Sequence, residues 1–281
     1  MNQFFGAIVW DIDPEIINLF GKISIRWYGL LFATGLILGF QIAKRLFIAD
    51  GYTLKDIDKL ALYIFIATIV GARLGHCLFY EPSYYLSHPV EMLLPVSFQD
   101  GKMTFQGYQG LASHGGILGV FLSIALFCWQ TKHSFFGVLD KVAVGGSLTG
   151  VFIRLGNLMN SEIIGKPTGT DSGVIFKAVD NIPRHPGQFY ESMSYLLIFF
   201  ILFYLYKKHK NKFGKGFIFG LFFTLLFLAR FIIEYYKINQ VNFEEGMTFN
   251  MGQLLSIPFI LGGIIVMIWK RKNTSQKETK S

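Results

Sequence analysis

Seven long apolar segments restrict the fold of this chain more than any other feature of its sequence. Each segment approaches the roughly 20 residues that an α-helix needs to cross a bilayer. Only 16% of the 281 residues are charged, whereas soluble domains have roughly 25%. A helix satisfies its own backbone hydrogen bonds, which lipid cannot do for it. We therefore predict an all-α integral membrane protein with about seven transmembrane helices, folded as a single integral membrane domain over residues 1–281.

The segments are separated by loops of unequal length. Two connections, 81–113 and 158–187, are long, polar and rich in Pro and Gly, so they are too polar to span a membrane and too long for simple turns. The transmembrane segments are predicted near residues 25–43, 60–80, 114–130, 138–157, 189–206, 216–236 and 251–269. We expect the long connections to form loops or a small cap on one side of the membrane.

The distribution of positive charge predicts the orientation. Of the 26 Lys and Arg residues, 16 are counted after segments one, three, five and seven, 7 lie on the other side, and Arg73, Arg154 and Arg230 lie inside segments. Because cytoplasmic loops carry the excess of Lys and Arg, the N-terminus is predicted outside and the polar tail 270–281 in the cytoplasm. The inner loops are expected to meet anionic membrane lipids. The first residues lack the basic region of a cleaved signal peptide.

The chain has two cysteines, Cys77 and Cys128, and each lies inside an apolar segment. This pattern indicates neither a disulfide framework nor a metal site. Packing as small hydrophobic side chains is the ordinary role for such residues. A nucleophilic thiol belonging to this protein is the alternative.

The stretch Gly145–Gly165, GGSLTGVFIRLGNLMNSEIIG, begins with small residues and ends with polar ones. Arg154, Asn157 and Asn160 are three residues apart, so in a helix they share one face. A cation and two amides at membrane depth are unfavourable unless they hold something polar. That polar group is either a ligand or the protein itself, as an internal hydrogen-bonded plug.

Further ionisable residues lie in or at the edges of the apolar segments. They are Arg73, His76, His114, Glu191, Arg230 and Glu234. Arg230 and Glu234 have the i, i+4 spacing of a local ion pair, which is the structural alternative for both. The positive charge that remains favours a phosphate-bearing ligand, because Arg binds phosphate in a bidentate manner. In a membrane, the simplest such ligand is a phospholipid headgroup.

Two histidines stand at predicted helix starts. His114 lies in SHGGILG and His185 in RHPGQFYES. A histidine can donate a hydrogen bond to a phosphate or accept a proton from a nucleophile. Helix capping is the alternative role for both residues.

Seven stretches spread over nearly the whole chain follow one another as IRWYGL, GARLGHCLFY, SHGGILG, RLGNLMNSEIIG, RHPGQFYES, ARFIIEYY and NMGQLLSIP. In this order the chain resembles the bacterial prolipoprotein diacylglyceryl transferases. The resemblance implies a multi-pass enzyme of the bacterial inner membrane. It implies transfer of a diacylglyceryl group from phosphatidylglycerol to the lipobox cysteine of prolipoprotein signal peptides, forming a thioether and releasing glycerol phosphate. No cofactor, metal or nucleic acid is implied.

The resemblance also implies roles for individual residues. The predicted catalytic residues are His114, Arg154, Arg230 and Tyr28. The predicted substrate-binding residues are Arg154, Asn157, Glu162, Gly165 and Glu234, to which the polar helix start adds His185. The predicted supporting residues are Asp140 from the resemblance, with Arg73 and Glu191 from their place in apolar segments.

The chain departs from the family pattern at several positions. Ile153 stands where a Gly commonly precedes the signature Arg, and Leu226 stands where a Tyr is expected. Lys237 replaces an expected Arg, and no Ala-Pro follows Asp140.

The implied reaction is a displacement at the glycerol carbon that bears the phosphate. We expect Arg154 and Arg230 to hold that phosphate and stabilise the leaving group. A free thiol has a pKa near 8.5, so a base or a cation is needed to raise the thiolate fraction. His114 as the base and arginine alone are equally open accounts. Two other classes would use the same buried arginines, a lipid or anion transporter and a structural membrane scaffold.

Overall fold

The computed structural model describes residues 6–19, 23–94, 96–99, 102–105, 110–238 and 247–278. The chain divides into two compact units. Unit 1 combines Met1–Leu46 with Leu139–Ser281, and unit 2 is Phe47–Val138. The single integral domain over the whole chain stays a prediction, and the last residues of the predicted tail, 279–281, lie outside the described part.

Seven long helices dominate the described residues, and each has a stretch that is long and apolar enough to cross a membrane. They are α1 (Trp27–Ala49), α2 (Leu54–Phe79), α5 (Ser113–Thr131), α6 (Phe135–Met159), α7 (Gly187–Phe213), α8 (Phe217–Glu234) and α9 (Met251–Glu278). Two short helices, α3 (Pro82–Tyr85) and α4 (Pro89–Leu93), follow α2. The prediction of a mostly helical protein with about seven membrane-capable helices is confirmed.

Short strands that the sequence did not predict lie before α1 and in the long connections. They are β1 (Ile8–Trp10), β2 (Glu15–Leu19), β3 (Ile23–Arg26), β4 (Val96–Gln99), β5 (Lys102–Phe105), β6 (Val174–Phe176) and β7 (Pro183–Arg184). In unit 1, β1 pairs in parallel with β6, and β6 pairs antiparallel with β7. Strands β2 and β3 form one hairpin, and β4 and β5 form another in unit 2. These pairings satisfy backbone groups of chain segments that lie outside the helices.

Helices α2 and α5 of unit 2 meet through glycines. A Cβ atom added to Gly115 would lie 2.8 Å from the Cα of Gly75, and one added to Gly119 would lie 2.9 Å from the carbonyl carbon of Ala67. Real Cβ atoms do not come this close to a neighbouring backbone. Small residues at such positions let two helices approach closely, which is how helices pack where lipid removes the hydrophobic driving force.

Helices α6, α7 and α8 form the core of unit 1, where Val144, Leu202 and Ile218 are almost fully buried. The carboxylate of Asp140, in the first turns of α6, accepts hydrogen bonds from Gly216 N at 2.7 Å and Phe219 N at 2.8 Å. These are free backbone donors at the start of α8, where a negative charge is also favourable. Asp140 therefore fixes the start of the helix that carries Arg230.

The outward faces of the long helices are apolar. In unit 2, Phe65 is 63% exposed and Leu122 is 62% exposed, and in unit 1 the exposed fractions of Leu197 and Ile265 are 62% and 65%. Extended apolar surface of this kind is rare on soluble monomers and indicates contact with lipid. The described helices thus combine lipid-facing side chains with polar groups in their interior.

The close contact of α2 and α5 predicts unequal effects of two neighbouring substitutions. Gly119→Ala forces a methyl group against the backbone of Ala67, so it should lower stability by about 1–3 kcal/mol through overpacking. Gly116→Ala is the matched control in the same helix, because its Cβ would lie 3.4 Å from the nearest atom. Alanine also favours helix over glycine by about 1 kcal/mol. Thermal unfolding in detergent should therefore show a loss for Gly119→Ala and no loss for Gly116→Ala, and equal melting temperatures would contradict this packing.

Candidate functional site

The last turns of α6 carry the polar residues of the signature stretch. Arg154 Nη1 donates a hydrogen bond to Asn157 Oδ1 at 3.2 Å, since residues three apart share a helix face. Asn157 Nδ2 donates in turn to Glu162 Oε2 at 3.0 Å. The signature residues thus form a hydrogen-bonded row from the helix into the turn that follows it.

The turn after α6 has an unusual backbone. Ser161 and Ile163 both have left-handed backbone angles, with φ of 53° and 57°. This conformation is unfavourable for a β-branched residue such as Ile163, so the surroundings must hold it in place. Between them, Glu162 accepts a second side-chain hydrogen bond from Asn160 Nδ2 at 3.1 Å, and Gln188 Nε2 donates to its backbone oxygen. The strained turn therefore aims the Glu162 carboxylate back at two amides.

Four charges of alternating sign, three of them buried and one partly buried, connect α6, α7 and the end of α8. Glu191 Oε2 lies 3.0 Å from Arg154 Nε, and Glu191 Oε1 accepts a hydrogen bond from Lys237 Nζ at 2.9 Å. Lys237 Nζ also donates to Glu234 Oε2 at 3.2 Å. We call Arg154, Glu191, Lys237 and Glu234 the charge chain. Its formal charges sum to zero, which is what burial of ions away from water requires.

Close neighbours hold the charge chain in place. Tyr195 follows Glu191 by one helical turn, its ring centroid lies 6.0 Å from the Arg154 guanidinium, and its phenol interacts with the charges of Arg154 and Arg230. At the other end, a Cβ on Gly252 would lie 2.7 Å from Glu234 Oε1. Helix α9 therefore approaches the Glu234 carboxylate at a position where the helix has no side chain.

Arg230 lies in the last turns of α8 and is partly buried. Within the described part of the chain, its guanidinium has no hydrogen bond and no ion pair. Glu234 stands four residues later, but its carboxylate binds Lys237 instead. The local Arg230–Glu234 pair that the spacing allowed is therefore not formed. A cation in an apolar helix is unfavourable without an anion, so Arg230 is suited to bind one from outside the protein.

Tyr28 stands beside the signature residues. It lies in the first turn of α1, and a Cβ on Gly156 would lie 2.8 Å from its ring. Its phenol interacts electrostatically with Glu162 and with Arg154. The absence of a side chain at position 156 thus makes room for a tyrosine ring against α6.

The connection after α6 folds back onto the start of α7. Gly165 N donates to His185 O at 2.9 Å, and a Cβ on Gly165 would lie 2.8 Å from Tyr236 O, so only glycine fits there. His185 Nδ1 lies 3.3 Å from the Tyr190 hydroxyl, and its ring centroid is 5.0 Å from that of Tyr236. Gly165 and His185 therefore share one polar and aromatic corner of unit 1.

The remaining predicted residues lie in unit 2. The Arg73 guanidinium donates to Met92 O at 3.2 Å and to Glu91 O at 2.6 Å, and it stacks over the Tyr85 ring at 4.6 Å. Arg73 thereby anchors the connection between α2 and α5. His114 lies in the first turn of α5, with its ring centroid 5.9 Å from that of Phe79.

Unit 1 brings together nine of the predicted site residues. They are Tyr28, Arg154, Asn157, Glu162, Gly165, His185, Glu191, Arg230 and Glu234. Asp140 belongs to the same unit but lies 14 residues before Arg154 on α6, which is about 21 Å along a helix axis. Its hydrogen bonds to the start of α8 give it a structural role.

Sequence reasoning missed Lys237 and Tyr195 as members of the site. Lys237 was noted only as a departure from the family pattern. Its position three residues after Glu234 is the signal that could have indicated an ion pair. Tyr195, four residues after Glu191 on α7, could have been placed on the same helix face by its spacing. In the described residues, no group of His, Cys, Asp and Glu could hold a metal ion.

The fold and the site together define an integral membrane protein whose apolar helices enclose a charged, polar site. Residues 14–269 match the sequence profile of the family described as prolipoprotein diacylglyceryl transferase. The phosphatidylglycerol–prolipoprotein diacylglyceryl transferase of Bacteroides fragilis is 47% identical over 278 residues, covering 99% of this chain and 100% of the relative. Its namesake from Tolumonas auensis is 48% identical over 270 residues, covering 96% and 100%. The chain belongs to the prolipoprotein diacylglyceryl transferase family.

An ion pair in the connection after α6 predicts a pH-dependent stability. Arg184 Nε donates to Asp180 Oδ2 at 3.0 Å, and this hydrogen bond lowers the pKa of Asp180 from its ordinary value of 3.8. Such a pair stabilises the fold above the ordinary pKa, and its contribution is lost as pH falls through the lowered pKa. Arg184 Nη1 also donates to Gly165 O at 3.3 Å, so the pair supports the corner of unit 1 that Gly165 shares with His185.

Asp180→Asn should therefore lower the melting temperature in detergent at neutral pH. The difference from the wild type should shrink as pH falls from 7 toward about 3. Asp171→Asn, in the same connection, is the control and should have little effect at either pH. A difference that stays constant or grows on acidification would contradict the role assigned to the Asp180–Arg184 pair.

Proposed function

We propose that this protein transfers the diacylglyceryl group of phosphatidylglycerol to the thiol of a prolipoprotein lipobox cysteine. Family membership supports the reaction, because the relatives are named for this lipid and this protein substrate. The structural observation that carries the proposal is Arg230, a guanidinium in an apolar helix that has no hydrogen bond and no ion pair among the described residues. A lipid phosphate supplies the anion that this group needs.

The proposed orientation places the N-terminus outside and the C-terminus in the cytoplasm of a bacterial inner membrane. Its support is the excess of Lys and Arg in the loops assigned to the inside. Arg154 and Arg230 occur late in α6 and α8, which run toward the outer side in this orientation. The site would then face the outer leaflet, on the side of the membrane to which a secreted precursor protein is exported.

The reaction forms one bond and breaks one bond. The cysteine sulfur loses its proton and attacks the carbon of the diacylated glycerol that bears the phosphate, so that a C–S bond forms. The C–O bond to the phosphate breaks, and glycerol phosphate leaves with the bonding electrons. The thiol proton passes to a base or to the departing phosphate. The protein must therefore hold the phosphate, position the carbon and favour the thiolate.

Two arginines are suited to hold the phosphate. Arg230 is the freer of the two. Arg154 is fixed in orientation by Glu191, Asn157 and Tyr195. A guanidinium has five N–H donors, so these three contacts leave donors for an anion. Donors that are held in place before the reaction stabilise developing charge without reorganising.

The other polar residues of unit 1 have orienting roles in this proposal. Glu162 is held by the amides of Asn157 and Asn160 and faces the side of Arg154 where Tyr28 also lies. A carboxylate and a phenol at this place can orient the lipid headgroup and keep Arg154 in one rotamer. Signal peptides with a lipobox cysteine and membrane lipids are the partners that this role requires.

The test of the proposal uses purified protein in detergent with phosphatidylglycerol and a lipobox peptide. We expect glycerol phosphate release together with a diacylglyceryl gain in peptide mass. Arg154→Ala and Arg230→Ala should each remain folded and lose about 10²–10³-fold in kcat, the usual effect of removing one stabilising donor. The control is Lys177→Ala, which removes an exposed ammonium group that donates to Asn181 Oδ1. Binding of the lipid without release of glycerol phosphate would instead support a transporter, which leaves its substrate chemically unchanged.

A second measurement tests His114 as the base. In the described part of the chain its side chain is exposed and packs only against aromatic rings, so no polar partner occupies its ring nitrogens. If His114 accepts the thiol proton, His114→Gln should lower the rate by about 10²-fold and flatten the pH–rate profile. An unchanged rate and profile would leave the lowering of the thiol pKa to arginine alone.

A further inference from the structure

We infer that Lys237 is a positioning residue for Arg154 and that it acts through the shared carboxylate of Glu191. The inference rests on the proposed function, since the group positioned is the guanidinium proposed to hold the lipid phosphate. It assigns a role to a residue that stands outside the predicted catalytic set.

The contacts of Lys237 give its ammonium group one path to Arg154. Its Nζ donates to Glu191 Oε1 at 2.9 Å and to Glu234 Oε2 at 3.2 Å. The second oxygen of Glu191 is the atom that meets Arg154 Nε, at 3.0 Å. Glu191 thus has one oxygen for each cation. The rotamer of Glu191 that Lys237 fixes is therefore the rotamer that meets Arg154.

The position of Lys237 is itself well determined. Its backbone forms a β-bridge with Gly165, and Lys237 N donates to Glu234 O at 3.1 Å. Its side-chain carbons pass beside Gly187, the first residue of α7, because a Cβ at Gly187 would lie 3.5 Å from Lys237 Cγ. Three segments of unit 1 therefore fix the point from which the ammonium group reaches Glu191.

The exposed fractions of the side chains in the charge chain distinguish a positioning residue from one that can contact substrate. The side chain of Lys237 is 3% exposed and that of Glu191 is 0% exposed, whereas that of Arg154 is 18% exposed. Only the Arg154 end of the charge chain is open to a ligand. Lys237 can therefore influence a bound phosphate only through the groups it holds.

Removing the ammonium group unbalances the buried charges. Glu191 and Glu234 would face each other across the space that Lys237 fills, and Arg154 would be the remaining cation of the charge chain. Like charges repel strongly in a medium of low dielectric constant. The Glu191 carboxylate should then turn away from Glu234, and Arg154 should lose its fixed orientation. A displacement of about 1 Å in a group that binds the reacting part of a substrate can cost about 10²-fold in rate.

The test is a double-mutant cycle in the glycerol phosphate release assay, with kcat and KM measured separately. Lys237→Met and Glu191→Gln should each lower kcat by about 10- to 100-fold with little change in KM. Because both changes act on one path, the double variant should match the single variants to within about threefold. The double variant also removes one positive and one negative charge together, so it keeps the charge chain neutral and should fold even if a single variant does not.

Lys237→Arg is the conservative control and should keep kcat within about threefold of the wild type, since it retains a positive charge that can donate hydrogen bonds to both carboxylates. Lys177→Met controls for loss of a surface lysine. The inference is overturned if folded Lys237→Met matches the wild type, if folded Lys237→Arg is as slow as Lys237→Met, or if the losses multiply in the double variant. A wild type that releases no glycerol phosphate would instead refute the proposed function.

Discussion

The instability of charge among apolar helices is the constraint on which the rest of unit 1 depends. Four of its ionic groups, three of them buried and Arg154 partly buried, are arranged with alternating sign, so that each cation lies against a carboxylate and the sum is neutral. Breaking such a buried set by removing one member typically costs 3–5 kcal/mol, because an uncompensated charge remains. Arg230, four residues before Glu234 on α8, is a cation that forms no hydrogen bond and no ion pair with the described residues. Protein carboxylates thus pair with Arg154 and Lys237, whereas a bound anion would be favourable at Arg230.

Small residues solve a related problem for the backbone. Where lipid surrounds a protein, helices gain little by burying apolar surface and must instead fit closely. Gly115 and Gly119 let two helices of unit 2 meet backbone to backbone, and Gly156 and Gly252 make room for a phenol and a carboxylate in unit 1. Close approach and charge pairing therefore support each other, because a polar group held against bare backbone has few alternative rotamers.

Much of the fold could be predicted because its helices are defined by local hydropathy. The shared face of Arg154 and Asn157 followed from helical spacing in the same way. The strands could not be predicted, since β1 has three residues and pairs with β6, more than 160 positions away, without any periodic pattern. The partners of Glu191 could not be predicted either, because Arg154 lies on another helix and Lys237 lies just after the end of a third. Hydropathy and helical spacing identified the charged residues that are unfavourable to bury, whereas tertiary packing determines which carboxylate each of them pairs with.

The cap that Asp140 provides for α8 has a consequence for how the protein is made. Asp140 is synthesised 76 residues before Gly216, the first of the two backbone donors that it binds. At ordinary rates of translation, that interval lasts about 4–15 s. Within this interval α6 is completed, whereas the start of α8 does not yet exist. The hydrogen bonds that join α6 to the start of α8 can therefore form only once the backbone of Gly216 and Phe219 has been made.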